Sequence, residues 1–489
     1  MIAVRLQYLL LWAVLVAAFI WPALLNGGPI WFSDSFSYLN GPKTALEQLF
    51  GGDGGGALQG LAEPADSVAK GQDTPYAGRS IYFGFVMFSA FAMLGPFGVA
   101  ALNAAIFVTA LMVALRPFFS DRLRGTLFVG GAIALLTAAP FFTSYAMPDF
   151  LAGITIICAV RLMGVPDKPT RTEAWVLWLI MLLGLISHTS HLIVVTGLAI
   201  VAPAVFRIYT GSWRIGNSRT LMVAVGLAIF AEALFAATVT RIYGEPPLRP
   251  PFLSARMIDD GPGYDYLVEN CPEAGFALCA FVDRLPQYSD EILWGREEGR
   301  AVYAGADAET QKALSREQMK FALAVLKDRP GAQIQASLTR FGEQLRWFGL
   351  EEFAYFPALK ATLDDWFSGA QKDQIRATGL YAETFPLAAA NVLTKIVALI
   401  SLVHLLSLAL IRSDARKPQQ EEIRRGFVIF AVLIALAILG NAATTGILST
   451  PHARYQARVI WLLPMLSAII IWRDLLAENM RARARRTTL

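Results

Sequence analysis

Apolar runs long enough to cross a bilayer recur along this 489-residue chain, and that recurrence constrains the fold more than any motif. Hydrophobic residues make up 55% of the chain, charged residues 16%, and the mean hydropathy is +0.48. The expected fold class is an all-α polytopic membrane protein. The first run, Leu6 to Leu25 behind a lone Arg5, shows no small-x-small cleavage site and reads as a retained span. A net charge of +4 lies mostly in short loops, where it orients a membrane protein, so nucleic acid is not an expected partner.

The crossings fall near 5–25, 97–117, 125–143, 150–165, 173–188, 191–207, 220–241, 384–411, 427–448 and 457–473, about ten in all. This count treats the segment 80–95, within IYFGFVMFSAFAMLGP, as an amphipathic or re-entrant piece on the outer face. It keeps Arg116, Arg122 and Arg124 inside with the other basic loops and the tail RARARR. The chain then divides into an N-terminal transmembrane region, 1–242, with a first outer loop at 26–79; a mostly helical periplasmic insert, 243–383; and a C-terminal transmembrane region with a basic cytoplasmic tail, 384–489. The basic tail and the lack of a eukaryotic targeting motif point to the inner membrane of a diderm bacterium.

Within the insert, Ser315 to Gln318 reads as a capping box, followed by apolar Met319, Leu323 and Leu326. After Pro330 a second helix places Ile334, Leu338, Phe341, Leu345 and Phe348 on one stripe, expected to pack onto the membrane domain. Cys271 and Cys279 lie outside the spans, and an oxidising compartment allows a disulfide between them; two unpaired small residues is the alternative. Cys158 sits in a span and reads as packing.

The polar residues able to do chemistry gather on one membrane face. Asp34 and Tyr38 occupy the first outer loop, Asp149 the turn in TSYAMPDF, His188 and His191 the turn in SHTSH, and His452, Arg454, Tyr455 and Arg458 the turn in PHARYQAR. Plain structural roles compete with each. Asp34 and Asp149 suit helix N-termini, and the histidines suit helix ends or a two-ligand metal site too thin to be diagnostic. Arg454 and Arg458 run against the charge bias, which asks for an anion such as a lipid headgroup or phosphate. Tyr76, Arg79 and Tyr82 border a lipid-side entrance near 80–95. No phosphate loop, His-Glu-x-x-His or four-cysteine pattern occurs.

FSDSFSYL, the run GRSIYFGFVMFSAFAMLGPFG, MPDF and HARYQARVIWLLP together resemble the GT-C superfamily of membrane glycosyltransferases, which includes oligosaccharyltransferases, protein O-mannosyltransferases and the enzymes that add aminoarabinose to lipid A. The resemblance implies a GT-C-like fold, a polyprenyl-phosphate-linked sugar as donor, and transfer on the outer side to a glycan or lipid acceptor. It makes Asp34 the base or acceptor-orienting acid, Asp149 a second acid that serves the acceptor or a divalent cation, and Arg454 or Arg458 the binder of the lipid phosphate. No paired Asp-Glu follows the first helix and no WWDYG-like element occurs, which disfavours protein N-glycosylation.

Three other readings stand beside it. Glu232 in span seven, with Lys395 and His404 in span eight, would suit a transporter or flippase, although no internal repeat accompanies them. PHARYQAR and SHTSH would suit an arginine- and histidine-based polysaccharide ligase, and a catalytically silent scaffold is the plainest option.

Overall fold

The structure, a computed structural model, describes residues 2–50, 79–214, 216–297, 300–410 and 418–487. From the N-terminus, α1 (Ile2–Phe19) and the short α2 (Trp21–Asn26) lead into α3 (Ser35–Phe50). α4 (Ile81–Leu94) turns at Gly95 into α5 (Pro96–Leu115). Then come α6 (Arg122–Leu136), α7 (Ala139–Thr143), α8 (Leu151–Leu162), α9 (Arg171–Ser187), α10 (Thr189–Thr210) and α11 (Gly216–Tyr243). The insert holds α12 (Phe252–Asp259), α13 (Pro262–Asn270), α14 (Ser289–Trp294), α15 (Ala308–Asp328), α16 (Pro330–Arg346), α17 (Pro357–Trp366) and α18 (Gly369–Arg376). The chain closes with α19 (Leu387–Leu410), α20 (Pro418–Leu448), α21 (Ala453–Ile460) and α22 (Leu462–Thr487). Among the described residues there is no strand, only an isolated parallel bridge between Ile30 and Tyr145.

Among the described residues six helical stretches are long and apolar enough to cross a membrane: Pro96–Phe118, Thr189–Thr210, Ser218–Tyr243, Leu387–Leu410, Arg424–Leu448 and Ala453–Leu475. The remaining apolar runs are shorter or broken. The run at 125–143 splits because Thr137 turns its hydroxyl back onto the Ile133 carbonyl and Pro140 starts a new turn. Pro22 and Pro148 likewise open short helices after α1 and before α8. These breaks gather at one end of the bundle, where they turn Tyr145 and Asp149 inward.

Two hydrophobic cores form. The larger runs through the bundle and takes in Leu350, Phe353, Leu359, Leu363 and Trp366 of the insert; the smaller lies wholly within 248–325. The insert is therefore two units, and its second half, from about Gln344 onward, is part of the main body.

Several local expectations change. α4 is apolar on all sides rather than amphipathic, with Phe83, Met87 and Phe91 buried while Phe85, Met93 and Leu94 are exposed. Ser315 does not cap a helix: α15 begins earlier at an Asp307 cap, and the Ser315 hydroxyl donates to the Arg249 carbonyl. Met319, Leu323, Leu326, Ile334 and Leu338 face outward, because α15 turns Leu314, Phe321 and Val325 to the core and α16 buries Gln333 and Gln344. Phe341, Leu345 and Phe348 are half-buried. Cys271 and Cys279 are joined in a disulfide with Cα atoms 5.4 Å apart, and Cys158 is a buried free thiol in α8.

Candidate functional site

The segment after α2 is held from two sides. Gly379 and Leu380 donate to the backbone and side-chain oxygens of Asn26, and Ile30 exchanges hydrogen bonds of 2.8 and 2.9 Å with Ser144 and Ala146. The Trp31 amide donates to the Tyr355 hydroxyl, and Trp31, Phe36, Trp366 and Phe367 stack in one aromatic group. Asp34 thus enters on a fixed backbone, one residue before α3.

α3 is locked by α4. Pro42 inside α3 has no amide to offer the Tyr38 carbonyl, and α4 closes on that carbonyl at Gly84. A Cβ at Gly84 would lie 2.8 Å from the Tyr38 oxygen, so only glycine admits this approach. Arg79, just before α4, then reaches Asp34, with Nη2 2.5 Å from Oδ2. Both side chains keep about one-fifth of their surface exposed, 23% for Arg79 and 21% for Asp34. Burial works against the Arg79 charge, but Asp34 and the nearby Tyr38 outweigh it and hold the guanidinium above its ordinary range. Tyr38 is buried beside the pair, and burial pushes its hydroxyl up while Arg79 pulls it back.

Arg454 comes to the same end of the bundle from α21. Its guanidinium lies 4.2 Å from the centre of the Phe32 ring and donates to the hydroxyls of Tyr145 at 3.1 Å and Tyr455 at 3.5 Å. The Glu352 carboxylate stands 3.4 Å from Nε, near enough for charge but without hydrogen-bond geometry, so this nitrogen is left unsatisfied. The charges of Arg79, Asp34, Asp149 and Arg454 all act on the Tyr38 hydroxyl. The arrangement is a polar cluster among aromatic rings, in which two cations, Arg79 and Arg454, lie near the partly exposed carboxylate of Asp34.

Asp149 and Arg458 lie deeper and pair with each other. Arg458 Nη1 donates to Asp149 at 3.1 Å, and Nη2 to Ser190 at 2.9 Å and Asn441 at 3.3 Å. The two charges, Arg458 and Asp149, are 0% and 3% exposed. They clasp α8, α10, α20 and α21 together. His188 accepts from the Ser190 amide at the start of α10, and His191 bonds the Gly184 carbonyl at 3.0 Å. Among the described residues no group of three His, Cys, Asp or Glu could hold a metal. Tyr82 donates to the Ala231 carbonyl of α11. Tyr76 lies outside the described residues.

His452 fastens the insert to this end. Its ring stands 3.5 Å from Asp290 and 3.4 Å from Glu352, while its backbone pairs with the Gln344 side chain. Burial opposes its charge, but the hydrogen bonds to Asp290 and Glu352 outweigh burial and hold its pKa at about 10. The folded value is raised above the unfolded one, so the stabilisation is full below the ordinary histidine range and disappears as pH climbs to about 10. Hydrogen exchange at 344–353 and 449–455 should therefore speed up between pH 7 and pH 10 in the wild type, beyond the intrinsic rise in exchange rate. His452→Gln should exchange fast throughout; a wild type indifferent to pH over that range would contradict the assignment.

The residues missed in the sequence are Tyr145, Glu352, Asp290 and Phe32. Tyr145 and Phe32 sit inside quoted runs, and their aromatic character next to an acid was the available signal. Glu352 and Asp290 had none, being ordinary acids of the insert. No family model, curated protein or solved structure matches the chain.

Proposed function

We propose that the chain is a multi-pass inner-membrane glycosyltransferase of GT-C type, with about ten crossings and the cluster around Asp34 on the periplasmic side. It moves a sugar from a polyprenyl-phosphate donor to a glycan or lipid acceptor. The observation that carries this reading is the meeting of Asp34, Arg79 and Arg454 at one end of an apolar bundle. Asp34 takes the proton from the acceptor hydroxyl, whose oxygen forms a bond to the anomeric carbon. The anomeric carbon–oxygen bond to phosphate breaks, and its electron pair leaves on the polyprenyl phosphate. Arg79 and Arg454 stabilise that charge. A phosphate arriving at Arg79 also draws it from Asp34 and frees the carboxylate to meet the acceptor hydroxyl. Asp149 and Arg458 position α8 and α21 and take no part in the bond changes.

The two ionisable groups that most favoured transport are accounted for elsewhere. Glu232 pairs with Arg249 and Lys395 with Glu351, each about half exposed and each joining a long helix to the insert.

Arg454→Ala should weaken binding of polyprenyl phosphate to the detergent-solubilised protein by about 10- to 100-fold, from a charged hydrogen bond of about 1.5–3 kcal/mol. Arg454→Lys should recover only part, because lysine lacks the fork and the flat face that Phe32 supports. Equal affinity for wild type and Arg454→Ala, measured by microscale titration, would remove Arg454 from the donor site.

A further inference from the structure

The outward-facing residues of the insert form a surface of their own. On α15, Met319, Leu323 and Leu326 make an apolar stripe, and on α16 Ile334 and Leu338 do the same; Leu323 is 57% exposed and Leu338 62%. At about 100° per residue, Arg316, Lys320 and Lys327 fall on the flank beside Leu323, and all three are exposed. An apolar stripe with a basic edge is the pattern of a helix lying in a membrane interface.

The position of α15 decides what covers it. Arg249 pairs with Glu232, which lies about 16 Å short of the end of α11 at about 1.5 Å per residue. Ser315 of α15 bonds the Arg249 carbonyl, and the Arg249 side chain reaches Glu232 in an apolar crossing segment of α11, so α15 stands within an arginine's length of that segment. Around Glu232, α11 exposes Phe230 and Leu234. α16 in turn lies along α20, where Gly446 sits against the Arg340 backbone inside another such segment. Both helices that carry the stripe are thus anchored to helices able to cross a membrane. A second copy related by a two-fold axis across the helices would set one basic flank against the other.

We propose that α15 and α16 seat the insert in the headgroup layer of an anionic bilayer, the apolar stripe at the acyl boundary and Arg316, Lys320 and Lys327 at lipid phosphates. The insert is then a lateral flank beside α11 and α20 as well as a neighbour of the Asp34 cluster through Glu352. Basic residues beside an apolar stripe bind more tightly as the fraction of anionic lipid rises. This inference rests on the reading of the chain as membrane-spanning.

The test uses the full chain in nanodiscs of phosphatidylcholine with phosphatidylglycerol, labelled with a bimane at Leu323→Cys, Leu338→Cys, Ile400→Cys in α19, or Glu297→Cys as an aqueous control. Quenching by lipids with a nitroxide near the headgroup should be several-fold stronger at Leu323 and Leu338 than at Glu297. Quenching by nitroxide lipids at Ile400 alone, with Leu323 and Leu338 behaving like Glu297, overturns the proposal. No lipid quenching at Ile400 overturns the membrane-spanning reading and takes the proposal with it. In the Leu323 probe, Lys320→Gln with Lys327→Gln should lose quenching in anionic discs and change little in pure phosphatidylcholine; equal behaviour in both discs overturns the anionic preference.

Discussion

Asp34→Asn should keep the fold and lower sugar transfer by about 10²- to 10⁴-fold, the usual contribution of a positioned general base. Asparagine retains the shape and can still accept a hydrogen bond from Arg79, so expression and thermal stability should stay near wild type. It cannot take the proton of an acceptor hydroxyl. The loss should therefore fall on kcat, with little change in the affinity for polyprenyl phosphate, which we assign to Arg79 and Arg454. An Asp34→Asn protein that transfers at wild-type rate would overturn the catalytic role of Asp34.

The second large effect concerns stability. Arg458→Met alone strands Asp149 as a buried charge and frees acceptors on Ser190 and Asn441, which should cost about 3–5 kcal/mol. The protein should then melt well below wild type or fail to accumulate. Asp149→Leu with Arg458→Met removes both charges together and should recover a good part of that loss, because apolar replacements of a buried pair are often close to neutral. Thermal melting of the purified variants, followed by the fraction remaining monodisperse, reads the difference. A double variant as unstable as the single one would show that the clasp holds the helices by more than mutual neutralisation.

The two variants separate chemistry from architecture. Asp34 and Arg79 keep part of their surface open, whereas Asp149 and Arg458 are sealed inside. An acid that serves a substrate must be reachable, and an acid that serves an arginine need not be.

How much of this was legible in the sequence follows from the range of each interaction. The first-loop acid, Tyr38 and Arg79 flank one apolar stretch, and Arg454 starts another, so local context is enough to single them out. Asp149 and Arg458 stand out as well, but their partnership spans 309 residues and no local pattern reports which arginine meets which acid. Glu352 and Asp290 come from the insert and acquire their role only when the fold brings them to His452 and, for Glu352, to Arg454 as well.

Apolar periodicity misled in one place for a physical reason. In a water-soluble domain a stripe such as Met319, Leu323, Leu326 marks the buried face. Beside a bilayer, lipid accepts the same stripe, so periodicity finds the apolar face without telling what it touches. Proline positions were more informative than hydropathy about where spans break: Pro22, Pro140 and Pro148 open the short helices that bring Tyr145 and Asp149 inward.

The most direct test of lipid-linked transfer is mass profiling of envelope glycans from a deletion strain complemented with wild type, Asp34→Asn or Arg454→Ala at matched protein levels. A sugar lost on deletion should return with wild type and with neither variant. A glycan profile unchanged by the deletion, or restored equally by Asp34→Asn, would contradict the account.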